Sequence, residues 1–278
     1  MWNRIKKIIS MIIIIVLLPY IITVFANGKA LQTSGEISKK DKILQDYCIR
    51  RLAQEVSSDY EKEMLKVQAV LTRTTIYKKI EEQGEGIFES EEFNEDMQVD
   101  TKWYQVLKQV WEETDGEVVM YGEELALVPF HKLSNGKTRS GKEVLGSDKY
   151  PYLQVIECPV DVEAEGQMAS TFIPVEGVTV KARDSAGYAL EVQVGEEVCN
   201  GESFRDAYQL DSSCVEVQAF EGRTRVITKG IGHGLGMSQN AANEMAKEGK
   251  NYHEILQFFF AGTEIKEVAQ IFWQDCKT

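Results

Sequence analysis

The chain has 278 residues, of which 43% are hydrophobic and 27% charged, with a formal net charge of -13. That length supplies ample core for one large or two small domains. The acidic balance argues against nucleic acid or an anionic lipid surface as a partner of the body.

Arg4, Lys6 and Lys7 precede an apolar run, residues 8–26, interrupted by Ser10, Pro19, Tyr20 and Thr23. Its length predicts a transmembrane helix, with the basic flank 1–7 in the cytoplasm and the rest of the chain outside. Val24-Phe25-Ala26 offers a cleavage site as the alternative to a retained anchor. Residues 27–40 are polar and read as a linker.

A single domain is predicted from 41 to 278. Residues 41–54 have helical spacing, with Leu44, Cys48 and Leu52 on one face. Glu55 ends that segment before a break at Val56-Ser57-Ser58. Ser58-Asp59-Tyr60-Glu61 then reads as a capping box opening the next helix. That helix carries Met64, Leu65, Val67, Ala69, Val70, Leu71 and Ile76, apolar on more than one face and therefore buried. Lys66, Gln68 and Arg73 interrupt it and need polar partners, which a substrate cleft can supply. Taken alone, Glu55 has the ordinary reading of a surface carboxylate.

Residues 81–100 are acidic and predict a solvated loop. Residues 102–112 predict a helix with Trp103, Val106, Leu107 and Val110 at helical spacing. The middle is β-rich. Residues 117–120 and 125–130 flank a hairpin turn at 121–124, and Asn135-Gly136 is a turn signal. Further strands are predicted at 178–181, 190–194, 214–219 and 224–228, with turns at 184–187 and 221–222 separating some of them. The order of helices, strands and helices predicts a mixed α+β domain.

Gly230-Ile231-Gly232-His233-Gly234-Leu235-Gly236-Met237-Ser238-Gln239 follows. A His in a Gly-rich turn before a helix suits an anion or a sugar, and equally a turn bonded to its own backbone. Ser238 is a plausible N-cap for a helix over 239–248 with Ala242, Met245 and Ala246 inside. Asn251-x-x-Glu254 caps a last helix carrying Ile255, Leu256, Phe259 and Phe260 and ending at Gly262. The five cysteines (Cys48, Cys158, Cys199, Cys214, Cys276) form no C-x-x-C pair, and their odd number leaves a thiol unpaired or pairing between chains. Cys199 and Cys214 are near enough to close a loop. His131, His233 and His253 have no metal-motif spacing, so neither metal nor cofactor is expected.

The run from Gly232 through Ala261-Gly262-Thr263 resembles the C-terminal signature of the stage II sporulation protein D family. Upstream, Tyr47, Glu55, Glu63, Leu65, Lys66, Gln68, Ala69, Arg73 and Thr74 fall at the spacings of its Tyr, E-M-P, E-A-L-K-A-Q-A and A-R-T motifs. Phe204-Arg205 and Leu210-Asp211-Ser212-Ser213 resemble a third segment. Departures are Val56-Ser57 for Met-Pro, Thr75 for an aromatic, and Ala261 for a Pro.

The resemblance implies a membrane-anchored lytic transglycosylase that cuts denuded peptidoglycan strands during engulfment. The expected place is the cell membrane, with the domain outside the cytoplasm, and between mother cell and forespore if the protein is specific to sporulation. Sporulation proteins P and M of the same stage are its implied partners. Glu55 takes the position of the catalytic glutamate, and Lys66, Gln68, Arg73, His233, Ser238 and Gln239 those of substrate-binding residues. A catalytic Glu55 needs a raised pKa, which burial beside Leu52 and Val56 can provide. Some relatives bind zinc, but Ser134 and Asn135 stand where a Cys ligand is wanted and Cys158 is distant in sequence. The alternatives are a non-catalytic glycan-binding or scaffolding member, or a hydrolase using Asp59 or Glu63 as a second acid.

Overall fold

The computed structural model describes residues 41–84 and 98–268. The predicted anchor 8–26, the linker and Cys276 lie outside the described residues. Among those described, no helix is long and apolar enough to cross a membrane. The chain divides into two units, residues 1–47 with 273–278, and residues 48–272. In the first, residues 41–47 are described and are helical. All that follows concerns the second.

This unit opens with helical residues 48–55 (α1), where Cys48, Ile49 and Leu52 are fully buried. After the break comes α2 (Lys62–Gln83), apolar on several faces and buried at Met64, Leu65, Val67, Ala69, Val70, Leu71, Ile76 and Ile80. It starts later than the Ser58–Glu61 box predicts. Glu61 is its N-cap without a side-chain bond, and the Glu61 N–H is taken by Asn243 Oδ1 at 2.8 Å. It also ends later, because Glu81, Glu82 and Gln83 of the predicted loop are helical. Helix α3 (Thr101–Glu113) is capped by Asp100, whose carboxylate accepts from Lys102 N and Trp103 N. Its inner face is Leu107, Val110 and Trp111, while Val106 is exposed, so the predicted stripe is rotated.

Strands β1 (Glu117–Tyr121) and β2 (Glu124–Leu125) form the predicted hairpin, but β2 is only two residues long. The third strand of that sheet is β11 (Glu264–Glu267), antiparallel to β1. Phe130, predicted within the hairpin, instead forms β3 with His131, which pairs in parallel with β10 (Met237–Ser238). These elements and α2 share one core with α6 (Gln239–Lys247) and α7 (Tyr252–Phe259), centred on Met64, Val67, Leu71, Met237, Ala242, Leu256 and Phe259. Both C-terminal caps are as the sequence reads. Ser238 Oγ accepts from Ala241 N, and Asn251 and Glu254 form a reciprocal capping box.

Between β3 and β10 the chain makes a short helix α4 (Gly141–Leu145), a 3-10 turn (Pro159–Glu163) and two antiparallel sheets. One has the order β4-β9-β8, from Met168–Ile173, Arg223–Lys229 and Val215–Phe220. The other has the order β5-β6-β7, from Val178–Arg183, Ala189–Val194 and Glu197–Asn200. The predicted strands at 178, 190, 214 and 224 are all present. Strands β4 and β7 and helix α5 (Gly201–Ala207) are additions. Ile173, Val192, Phe204, Val215 and Val226 build a second core shared by both sheets and α5. Cys48, Cys158, Cys199 and Cys214 are free thiols, so Cys199 and Cys214 close no loop.

Candidate active site

Glu55 is the last helical residue of α1, and its side chain turns toward the middle of α2. The helical spacing of Gln68 and Thr72, four residues apart, puts both on the facing side of α2. Thr72 Oγ1 donates to Glu55 Oε2 at 2.6 Å and Gln68 Nε2 donates to the same oxygen at 3.2 Å. Arg51, one turn back on α1, donates from Nε to Oε1 at 3.2 Å. The Glu55 side chain keeps 15% of its surface exposed, so the carboxyl is walled in but reachable, and Arg51 keeps 36%. Burial raises the Glu55 pKa above the usual carboxylate value, against the opposing pull of Thr72, Arg51 and Gln68. Desolvation outweighs three donors because two are neutral and the one cation is partly in water. The two oxygens are unlike. Oε2 is anchored by two neutral donors, while Oε1 faces the partly exposed Arg51 guanidinium.

The Gly-rich stretch reaches this corner through its last residue. Gln239 Nε2 donates to the backbone carbonyl of Glu55 at 2.8 Å and to Gln68 Oε1 at 3.1 Å. An amide relay thus runs from α6 through α2 to the carboxylate, and Gln68 and Gln239 are nearly inaccessible to solvent. They orient Glu55 more than they offer hydrogen bonds to a ligand. The stretch itself is threaded against residues 129–139: Ile231 and Leu133 exchange backbone bonds, Met237 N donates to Pro129 O, and Arg139 N donates to Gly234 O. Gly234 and Gly236 have φ of 75° and 73°. A Cβ at Gly234 would lie 2.5 Å from the Tyr188 ring, and one at Gly236 would collide with the Pro129 carbonyl, so both positions require glycine.

The other residues singled out by sequence have different partners. Arg73 is a correction. It is 1% exposed, and its terminal nitrogens donate to the carbonyls of Trp111, Thr114 and Glu117 while the guanidinium lies 3.9 Å from the Trp111 ring centre. It ties the end of α3 to β1 and offers no cation to a ligand. Lys66 bridges Glu63 at 2.7 Å and Glu113 at 3.3 Å and faces the Tyr252 ring. Ser238 is buried in its capping role. His233 Nδ1 accepts from Leu235 N at 3.0 Å, the backbone-bonded turn His of the alternative reading, and its ring packs 5.9 Å from that of His131. Burial lowers its pKa. Of the second-acid candidates, Asp59 is solvent-exposed, its pKa lowered by the Ser57 hydroxyl, and Glu63 holds Lys66 and Tyr252 N.

Sequence reasoning missed Arg51 and Thr72. The signals were present: Arg51 is four residues before Glu55, and Thr72 is one turn beyond Gln68. It also missed a buried ionic centre. Arg139, 1% exposed, donates from Nε to Asp184 at 2.5 Å, from a terminal nitrogen to Glu202 at 2.5 Å, and to the His233 carbonyl at 3.0 Å.

A zinc ion would find one open nitrogen at His131 but no group of three ligands among the described residues. His131 Nδ1 faces the Leu235 carbonyl at 3.2 Å and so carries the proton, leaving Nε2 as a lone buried acceptor. Cys158, its thiol pushed up to about 12 by burial, donates to Ile156 O. Among the described residues no three His, Cys, Asp or Glu side chains are grouped to hold a metal ion.

Residues 34–121 match the family model SpoIID, Stage II sporulation protein. The chain is 28% identical over 260 residues to Stage II sporulation protein D of Bacillus subtilis (strain 168), covering 81% of this chain and 74% of that one. The Bacillus amyloliquefaciens protein of the same name is 27% identical over 256 residues, with the same shares. An uncharacterised protein of Brachyspira hyodysenteriae is 24% identical over 258 residues, covering 82% of this chain and 68% of that one.

Proposed function

We propose, for a chain that carries a SpoIID domain and resembles Stage II sporulation protein D along most of its length, that Glu55 is the single acid/base of a peptidoglycan lytic transglycosylase. The observation that carries this reading is the buried, reachable Glu55 carboxyl with a raised pKa and one anchored oxygen. Hydrolysis of a glycosidic bond usually takes two carboxylates. Transglycosylation can manage with one, because the attacking muramyl 6-hydroxyl is already tethered to the sugar. Glu55 Oε1 gives its proton to the leaving glycosidic oxygen. As the 6-hydroxyl oxygen bonds to C1, Glu55 takes that hydroxyl's proton, closing the 1,6-anhydro ring and returning the acid to its starting state. Thr72 and Gln68 fix the carboxyl plane throughout, and Arg51 is the local cation for an anionic strand. The proposal places the domain outside the cytoplasm, anchored through residues 8–26, with sporulation proteins P and M as partners; its support is the sequence of that segment and the resemblance.

The test is to incubate the protein and its Glu55→Gln variant with denuded glycan strands and analyse the ends by mass spectrometry. Anhydro-muramyl ends from the native chain, falling about 10²–10⁴-fold in the variant, are expected. Reducing ends would instead mean a hydrolase, and uncut strands that still bind would mean a binding protein.

A further inference from the structure

Away from Glu55, the outer face of the β4-β9-β8 sheet gathers aromatic and cationic groups. Strand alternation along β9 sends Thr224, Val226 and Thr228 inward and Arg223 and Arg225 outward. Arg225 sits opposite Phe172 of β4 and Gln218 of β8, and Arg223 opposite Phe220. The Phe172 and Phe220 rings are 5.3 Å apart, each 43% exposed, and the Arg223 guanidinium lies 4.2 Å and 5.3 Å from them. Arg225 Nε donates to Ser170 Oγ at 2.9 Å. Lys229 on the same face is taken by Glu216 at 2.7 Å. Neither arginine pairs with a carboxylate among the described residues, although the protein carries a net charge of -13.

Two guanidinium groups held in place by rings and a hydroxyl, with free N–H groups left over, are preorganised to receive carboxylates. A lipid surface would also suit arginines and phenylalanines. Here, however, the face also carries the exposed polar side chains of Ser170 and Gln218, which the apolar layer of a bilayer would strip of water. Ser170 and Gln218, beside Arg225, add hydroxyl and amide groups suited to a polyhydroxy chain.

We propose that this face is a second binding surface for a carboxylate-bearing glycan strand, gripping it apart from the site of cleavage. The inference rests on the reading of glycan as substrate. The test uses the full chain carrying Glu55→Gln, so that strands stay whole, and measures affinity for denuded strands at low and moderate salt. Arg223→Ser with Arg225→Ser should weaken binding about tenfold and flatten its salt dependence. Lys250→Ser, which removes an exposed cation elsewhere, should leave binding as it was. Strands whose carboxylates are amidated should lose the difference between the native face and the double variant. Unchanged affinity in the double variant overturns the inference, as does selective loss of binding to phosphatidylglycerol vesicles. If the double variant melts early, Arg225→Gln, whose side chain holds only Ser170, gives the deciding comparison. Cleavage is read separately on the native chain. Anhydro product together with unchanged variant affinity sinks this surface alone, whereas face-dependent affinity with no product sinks the proposed reaction alone.

Discussion

Two buried charges in this molecule have opposite surroundings. Arg139 meets two carboxylates, Asp184 and Glu202, and a backbone carbonyl. Its charge is balanced where it lies, and its role is to hold the His233 segment to the sheets. Glu55 meets two neutral donors and one cation that is partly in water. Its charge is hydrogen-bonded but not balanced, and its hold on a proton rises. Arg139, met by opposite charges, serves architecture, whereas Glu55, met mostly by neutral donors, holds a proton more readily.

If that contrast is right, Arg139→Ala should have the largest effect on stability, about 3–5 kcal/mol, seen as an early thermal transition. A near-native melting temperature would place Arg139 outside the architecture. Arg73→Ala should follow, at about 3 kcal/mol, because three carbonyls are left without donors. Its glycan affinity should be retained in whatever fraction stays folded, and selective loss of affinity would restore Arg73 to the binding surface.

The third prediction concerns pH. The folded pKa of Glu55 lies above the ordinary 4.5, so the native state holds its proton more tightly than the unfolded chain. The resulting stability is present below 4.5 and is lost as pH rises through the folded value. His131 has the opposite sign: its pKa is pushed down from 6.5 to about 3 by burial and by the neighbouring His233. Stability from a neutral His131 is present above 6.5 and is lost as pH falls toward 3. Denaturant titrations should therefore show Glu55→Gln removing a decline with rising pH and His131→Asn removing a decline with falling pH. Slopes that match the native chain would refute both assignments. The smallest effect is expected from Thr72→Val. It deletes a bond that lowers the Glu55 pKa, so the limb of the pH–rate profile governed by Glu55 should move to higher pH; movement the other way would reverse the role given to Thr72.

Local features were legible in the sequence. The Ser238 cap, the Asn251–Glu254 box and four strands of the middle region depend on residues a few positions apart, and the structure contains them. Features settled by distant partners were not. The Ser58–Glu61 box fails because Asn243 takes the Glu61 N–H from across the fold. Arg73 reads as a groove cation until its partners prove to be backbone carbonyls of α3 and β1, groups that no side-chain pattern announces. At the site, Glu55 and Gln68 were marked by spacing and by resemblance. The joining of Gln239 to both is a tertiary fact.

The Gln239 amide closes a loop of 184 residues when it reaches the Glu55 carbonyl, and of 171 when it reaches Gln68. Closures that long are late events in folding, since their entropy must be overcome before any contact rewards it. The relay that backs the carboxyl through Gln68 is therefore completed only late, after the distant Gln239 has docked. On the proposed reading, cleavage would begin only once this closure has formed. In refolding experiments, helical signal should return before glycan cleavage, and simultaneous recovery would show that α1 and α2 align the carboxyl unaided.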